Sequence, residues 1–451
     1  MNSNSCSRIL AACVCAFSLV ELLTGTTAWA AAIQPVRFVT PNGLTVLVIE
    51  QHALPIVHVQ ALIKTGSAQD PSDKPGLANL VASSLDEGTT TRSAKQIAEE
   101  IEFVGGTLAT RTTEDFTTAS VRVLKKDTKL GLDLLADVLL RPVFAEQELE
   151  RVRSLIHGQI LSEQDDPGLV AAKAFQQLVF DGHPYGWPVI GTEEGLARIT
   201  RTDVLEFHKR EYLPNRTILV FVGDLTTDDA QKLVEEYFGT WKPGEVGART
   251  AGKPAPIDRP VTKLIDKELL QTTIIVGHLG INRANPDFYP ALVMNYILGG
   301  GGFSSRLMDE IRDNQGLAYG VGSTFQANLM PGPFLINLQT RNEAANQAIA
   351  GVLKELQRIR ESPVTDEELN DAKAYLIGSF ALRLDTTAKL AEVASQVEFF
   401  NLGLEYFTEY PKWIAKVTKE DVLRVAKEYL HPDRYALVLV GNLKQAKFKQ
   451  Q

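Results

Sequence analysis

Cysteine is almost absent from this sequence of 451 residues, because its three cysteines, Cys6, Cys13 and Cys15, all lie near the N-terminus. The remainder of the chain can form no disulfide and offers no thiolate to a metal, so any metal ligand there would be a histidine or a carboxylate. The seven histidines are scattered, and none forms an HxxEH, HxxxH or His-x-His pattern. His183, in the turn HPYG, is therefore predicted to have a structural hydrogen-bonding role rather than to bind metal.

Positive charge is also scarce. Lys and Arg number 46 against 55 Asp and Glu, which gives a formal net charge of -9. Nucleic-acid binders normally carry a basic excess on one face, so that class is excluded. A hydrophobic content of 44% with 22% charged residues is typical of a folded protein, and the length predicts at least two domains.

Long hydrophobic runs are missing except near the N-terminus. Arg8 precedes an apolar run from Ile9 to Val20, and Ala28-Trp29-Ala30 has the small-x-small pattern of a signal-peptidase site. Residues 1–30 are therefore predicted to be a cleaved signal peptide, and the protein to be periplasmic or secreted. The alternative is an uncleaved anchor, but the run is shorter than the roughly 20 residues that span a bilayer, so no stable membrane anchor is expected.

An internal repeat is present. The segments Asp203–Leu225 and Asp421–Leu443 share the pattern of a helix, a turn built on Pro with Asn or Asp, and an apolar β-rich run. The runs Ile218–Val222 and Ala436–Val440 are too continuously apolar for a strand with one solvated face. They predict one buried central strand in each half of the chain.

The rest of the sequence predicts an α+β fold of two homologous sandwich domains. Residues 243–260 are rich in Pro and Gly and predict a linker between an N-terminal domain, 33–242, and a C-terminal domain, 261–451. The remaining predicted elements are a hairpin turning at Asn42-Gly43, strands at 56–63, 117–123, 272–279 and 333–340, and helices at 76–86, 93–104, 127–140 and 145–163.

Five segments carry a family resemblance: GLANLVASSLDEGT at 76–89, GGTLAT at 105–110, EQDDP at 163–167, HPYGWPVIGTEEGLARIT at 183–200 and LGGGGFSSRLMDEIRDNQGLAYGV at 298–321. In these segments the chain resembles the pitrilysin/insulinase family of zinc metallopeptidases. The first segment corresponds to the inverted zinc motif HxxEH. The resemblance implies two α+β domains that form half of a clamshell with a second such chain, as in the processing peptidases.

The motif positions carry no zinc chemistry in this chain. Asn79, Ala82 and Ser83 stand where the family has His, Glu and His, and residues 158–162, where a third ligand is expected, read GQILS. An amide and a hydroxyl are weak zinc ligands, and a methyl group cannot take a proton from water. The sequence therefore predicts no metal, no catalytic residue and no cofactor on this chain, with zinc expected in a partner subunit.

The glycine run Gly299, Gly300, Gly301 and Gly302 lacks the Lys of a phosphate-binding loop and instead predicts a close approach of the backbone to a partner or peptide. A helix capped by Ser304 or Ser305 is predicted to follow, running to about Asn314.

Arg306 and Tyr319 lie beyond the glycine run. By themselves they suggest a surface arginine paired with Asp309 or Glu310 and a core aromatic residue. The resemblance instead implies that the two form the family's Arg/Tyr pair, which grips substrate and donates a hydrogen bond to the oxyanion at the partner's zinc site.

The expected function is therefore a zinc-free subunit of an exported heterodimeric metallopeptidase, which supplies these two side chains to an HxxEH-bearing partner acting on peptides. The alternative is a structural or assembly subunit with no role in proteolysis.

Overall fold

A computed structural model describes residues 33–247 and 251–448, and the predicted signal peptide lies outside them. The chain forms two mixed sheets, one in each half. The first has strand order β1-β2-β6-β3-β5-β4 and the second β7-β11-β8-β10-β9. The strands are β1 (Val36–Val39), β2 (Thr45–Glu50), β3 (Ile56–Ile63), β4 (Thr107–Thr112), β5 (Thr117–Leu124), β6 (Thr217–Gly223), β7 (Val261–Asp266), β8 (Gln271–Leu279), β9 (Ala318–Phe325), β10 (Pro333–Arg341) and β11 (Ala436–Gly441).

Helices surround both sheets, which confirms the α+β class and the two similar halves. They are α1 (Leu77–Ala82), α2 (Ala94–Phe103), α3 (Thr128–Leu140), α4 (Glu146–Glu163), α5 (Pro167–Val179), α6 (Glu193–Arg198), α7 (Arg201–Glu211), α8 (Thr227–Phe238), α9 (Phe288–Asn295), α10 (Ala345–Glu361), α11 (Asp366–Gly378), α12 (Thr387–Phe399), α13 (Tyr406–Lys416), α14 (Lys419–Tyr429) and α15 (Leu443–Ala446). No helix in the described ranges is both long and apolar enough to cross a bilayer.

The internal repeat corresponds to equivalent pieces of the two halves. Helices α7 and α14 each begin with a capping box, Thr200 with Asp203 and Thr418 with Asp421, in which two backbone N–H groups are satisfied reciprocally. Each helix leads to a central strand, β6 or β11, that pairs with one parallel and one antiparallel neighbour. The predicted buried strands are therefore confirmed.

Both faces of each central strand are covered because the halves exchange a helix. Helix α12, from the second half, packs on β3 and β6 of the first sheet, while α5, from the first half, packs on β8 and β11 of the second. Ile218, Val220 and Val222 accordingly belong to a core shared with the second half. This exchange explains why every residue of β6 and β11 is buried.

Polar contacts reinforce the contact between the halves. The buried amide of Gln60 donates to Ser395 Oγ at 2.8 Å. The Tyr185 hydroxyl donates to Asp115 at 2.6 Å, and the second oxygen of that carboxylate accepts from Leu329 N at 2.8 Å. The tight association of the halves follows from burying these polar groups in satisfied pairs.

The linker region has no helix or strand in its described parts, 243–247 and 251–260. It is nevertheless attached to the first half, since Gly244 O accepts from Asn215 Nδ2 at 2.9 Å and Gly252 O lies 3.0 Å from His183 Nε2. The other ring nitrogen of His183 accepts from Tyr185 N, which confirms the structural role predicted for this histidine.

Candidate functional site

Helix α1 occupies the position of the zinc motif. Its apolar residues Leu77, Leu80 and Val81 are buried in the core of the first half. The Asp70 carboxylate accepts from the backbone nitrogens of Gly76 and Ala78 at 2.7 and 2.8 Å, which satisfies the start of the helix. Burial raises the pKa of Asp70 to about 7 in spite of these two bonds. The helix is thus a well-packed structural element.

The residues at the motif positions do not fit zinc. Ala82 is buried and its carbonyl accepts from the Thr110 hydroxyl at 2.8 Å, while Asn79 and Ser83 are half-buried one turn apart. In the described ranges no three His, Cys, Asp or Glu side chains come together as a metal site. The segment 158–162 is part of α4, where Gln159 donates to Glu163 at 3.1 Å. An amide, a methyl group and a hydroxyl cannot supply the donor set that zinc requires.

Strand β4 lies beside this helix at the open edge of the first sheet. Among the described strands it pairs with β5 alone, and its side chains alternate between exposed and half-buried along most of its length. An edge strand presents unpaired N–H and C=O groups to which an extended peptide can add as a further strand. The helix at the zinc-motif positions therefore lies next to a sheet edge whose outer backbone groups pair with no strand among the described residues.

The glycine run is packed against β9 at its first residue and is exposed at Gly300 and Gly302. A Cβ on Gly299 would stand 2.5 Å from Ser323 Oγ and 2.7 Å from Leu307 Cδ1, so only glycine fits there. Gly302 has a φ of +59° and turns the chain toward the next segment. Gly299 thus approaches the protein's own β9, and the approach of the run to a partner or peptide stays a prediction.

The helix predicted after the glycine run is present, but most of it is a π-helix and not an α-helix. A π-helix spans Met308–Asn314, and another, Tyr296–Gly300, runs into the glycine run itself. Ser305 Oγ donates to Gly302 O at 2.7 Å, and Gly316, with φ +61°, follows the second π-helix. Such wide turns are rare and frequently occur at functional sites.

Arg306 is held in the interior of the second half. Its Nε and Nη2 donate to the two carboxylate oxygens of Glu368, at 2.6 and 2.9 Å, and its side chain is 9% exposed. Neither Asp309 nor Glu310, the local partners suggested by sequence, is the one it bonds. No ring contact or hydrogen bond joins it to Tyr319 in the described part of the chain. The role of Arg306 in a partner's site stays a prediction.

The arginine beside Tyr319 is Arg312. Its guanidinium carbon lies 5.5 Å from the centre of the Tyr319 ring and 4.8 Å from that of Phe303. Tyr319 is 88% exposed and Phe303 72%, so Tyr319 is not the core aromatic residue that its type alone suggested. Arg312 was not among the residues predicted from the sequence. Arg312 lies shortly before Gly316, and the turn at Gly316 returns the chain toward β9. This position was the feature of the sequence that could have identified Arg312.

Comparison with known proteins supports the family assignment. The model described as Insulinase (Peptidase family M16) matches residues 45–193, and the model described as Peptidase M16 inactive domain matches residues 198–376. An uncharacterized zinc protease of Mycobacterium bovis is 30% identical over 424 residues, 91% of this chain and 94% of that protein. An uncharacterized zinc protease of Bacillus subtilis is 26% identical over 409 residues, 90% of this chain and 98% of that protein.

Solved structures agree with the fold. A peptidase M16 inactive domain from Pseudomonas fluorescens superposes with a TM-score of 0.86 at 29% identity, covering 91% of this chain and 98% of that one. A protease from Helicobacter pylori superposes with a TM-score of 0.83 at 22% identity, covering 90% and 99%. With two matching family models, relatives aligned over nearly their whole length and a common fold, the chain belongs to the M16 peptidase (insulinase) family.

Proposed function

We propose that this chain is the zinc-free, peptide-contacting subunit of an exported two-chain M16 metallopeptidase, paired with an HxxEH-bearing homologue. The observation that carries the proposal is an asymmetry between the halves. The first half has no zinc donors at Asn79, Ala82 and Ser83, whereas the second half places the half-buried Arg312 beside the exposed rings of Phe303 and Tyr319. We call these three residues the exposed aromatic-arginine cluster.

The composition of this cluster suits an interface with a partner or a peptide. Single exposed hydrophobic side chains are common on protein surfaces, whereas grouped ones mark interaction sites, and Tyr and Arg are enriched among the residues that dominate binding energy. The closest carboxylate oxygen to the Arg312 guanidinium belongs to Asp313 at 3.5 Å. The guanidinium fork therefore keeps donors for a carbonyl or carboxylate of a substrate.

The chemical contribution proposed for the cluster is donation of hydrogen bonds. Arg312 would hold a substrate carbonyl, and the Tyr319 hydroxyl would donate to the oxyanion that develops in the partner's site. Loss of one such donor typically costs about 2.7–4 kcal/mol of transition-state stabilisation. Arg306, bound to Glu368, instead supports the segment that carries the cluster. Export to the periplasm or the outside of the cell is part of the proposal and depends on residues 1–30.

The test is to co-express the mature chain with an M16 homologue that contains HxxEH and is encoded in the same genome, and to measure peptide hydrolysis. We expect the wild-type pair to exceed the partner alone, and Tyr319→Phe and Arg312→Ala to lower kcat/KM by about 10²–10³. Arg341→Ala, which removes an exposed arginine of the same half, should stay within about twofold.

A second outcome would favour the alternative role as a structural or assembly subunit. In that case the two chains would co-purify, yet the Tyr319→Phe and Arg312→Ala complexes would cleave peptide at the wild-type rate. If the chain associates with no HxxEH protein and adds nothing to any partner's rate, the proposed function is wrong.

A further inference from the structure

A cavity in the second half, separate from the exposed aromatic-arginine cluster, has a volume of about 260 Å³. It lies between α9, α12 and α13, with Phe325 at the end of β9 forming part of its wall. The walls combine apolar and aromatic side chains with two arginines, Arg283 and Arg383. The aromatic lining comprises Phe288, Phe325, Phe400, Tyr406 and Tyr410.

The two arginines are held by aromatic rings and not by acids. The guanidinium carbon of Arg283 lies 3.7 Å from the centre of the Phe288 ring, and that of Arg383 lies 5.5 Å from the centre of the Tyr410 ring. Among the described residues no carboxylate is within ion-pair distance of either guanidinium. Cation–π contacts orient a guanidinium while leaving its N–H donors available. The cavity therefore carries two positive charges that the protein does not neutralise.

A buried phenol adds a third donor. Tyr410 is 1% exposed, and its hydroxyl meets no hydrogen-bond acceptor among the described residues; the side chain that reaches it is the Arg383 guanidinium. A guanidinium nearby can only donate, so it cannot accept the phenolic proton. A buried donor without an acceptor is costly, and such a group in a native fold calls for a ligand or a water that accepts from it.

We propose that this cavity binds a small organic carboxylate with an aromatic or branched apolar group. The carboxylate oxygens accept from Arg283, Arg383 and the Tyr410 hydroxyl, and a planar guanidinium matches a carboxylate in geometry. The apolar group packs on Phe288, Phe400 and neighbouring aliphatic residues. The volume is below the roughly 300–1,000 Å³ of pockets for drug-sized ligands, so the ligand has little more than one ring and its carboxylate. The same chemistry exists in a free metabolite and in the C-terminal residue of a peptide.

The test is isothermal titration of the purified mature chain with two probes, 3-phenylpropionate and N-acetyl-alanyl-phenylalanine. The matched neutral compound, 3-phenylpropionamide, has the same shape without the charge. We expect at least one of the two carboxylates to bind at a single site. We expect the amide to bind at least about tenfold more weakly than that carboxylate. Binding of only the dipeptide would assign the site to peptide C-termini, and binding of 3-phenylpropionate would assign it to free carboxylates.

Variants locate the site. Arg283→Gln and Arg383→Gln should each weaken carboxylate binding by about tenfold, whereas Arg341→Gln, the same charge change at an exposed position outside the cavity, should leave it within about twofold. Arg383 is exposed, so its variant is expected to fold even if Arg283→Gln is unstable. The inference is overturned if neither carboxylate binds at millimolar concentration, if the amide binds equally well, or if Arg383→Gln binds like wild type.

Discussion

Replacing Arg306 by alanine is expected to destabilise the second half rather than to alter a binding surface. The guanidinium makes two bonds to Glu368, at 2.6 and 2.9 Å, with the arginine side chain 9% and the glutamate side chain 27% exposed. Glu368 also accepts from Thr365 N at 2.7 Å and completes the capping box of α11. The ion pair thus joins the segment after the glycine run to the start of a core helix.

The size of the expected loss of stability follows from leaving the Glu368 carboxylate without the guanidinium that neutralises it. Burial acts to raise the pKa of Glu368, but the hydrogen bonds from Arg306 and Thr365 outweigh it and hold the pKa below 4.5. Removing one partner of a buried pair costs about 3–5 kcal/mol, and water reaches part of this carboxylate, so we expect about 2–3 kcal/mol. Because the folded-state pKa is lowered, this stabilisation is present above about pH 4.5 and is lost as the pH falls through the folded-state value.

The assay is urea denaturation at pH 7, with Arg312→Ala as the matched control. Arg312 is 30% exposed, and it makes a long contact to Asp313 and cation–π contacts to the exposed rings of Phe303 and Tyr319, so its loss should change the free energy of unfolding by no more than about 1 kcal/mol. In a double-mutant cycle, the variant with both Arg306→Ala and Glu368→Ala should lose less unfolding free energy than the two single variants lose together, by at least about 1 kcal/mol. Equal stability of the two arginine variants, or strict additivity in the cycle, would refute the structural role of Arg306.

Two further predictions concern pH and packing. Burial lowers the pKa values of three histidines, to about 4, 4 and 3 for His58, His208 and His278. At these histidines the unfolded chain then binds more protons between pH 6.5 and 4, which lowers stability by about 2 kcal/mol per histidine at pH 5. The raised pKa of Asp70 acts in the opposite direction and offsets about one histidine, so stability should still fall; a melting temperature equal at pH 7.5 and 5 would contradict this. Gly299→Ala should cost about 1–3 kcal/mol by overpacking against β9, whereas Gly320→Ala, where a Cβ meets nothing within 4 Å, should be nearly neutral in the same thermal melt.

The sequence identified the elements whose signals are local. The continuous apolar runs predicted β6 and β11, and the Asn42-Gly43 turn predicted the β1–β2 hairpin, where Gly43 has a φ of +85°. Three of the four edge strands, β4, β7 and β9, were not predicted. Strand β4 is rich in threonine with few buried positions, and β9 contains two glycines, so neither has a strong intrinsic preference. Pairing with a neighbour makes them strands.

The candidate site was identified in part, for a similar reason. The glycine run and Tyr319 stand out by composition and resemblance, but the segment contains two arginines that differ in what faces them. Arg306 meets Glu368, 62 positions away, whereas Arg312 lies over the exposed ring of Tyr319. Nothing local in the sequence distinguishes a guanidinium that will be buried from one that will be exposed.

The sequence alone determined that this chain has two similar halves, each built on a buried central strand, and that it has no imidazole or carboxylate at the motif positions Asn79, Ala82 and Ser83. Those properties depend on residue type and order. The tertiary structure decided the exchange of α5 and α12 between the halves, the partner of each arginine and the cavity around Arg283 and Arg383. These depend on side chains far apart in the chain, because an ion pair or a cavity wall is selected by proximity in the folded state.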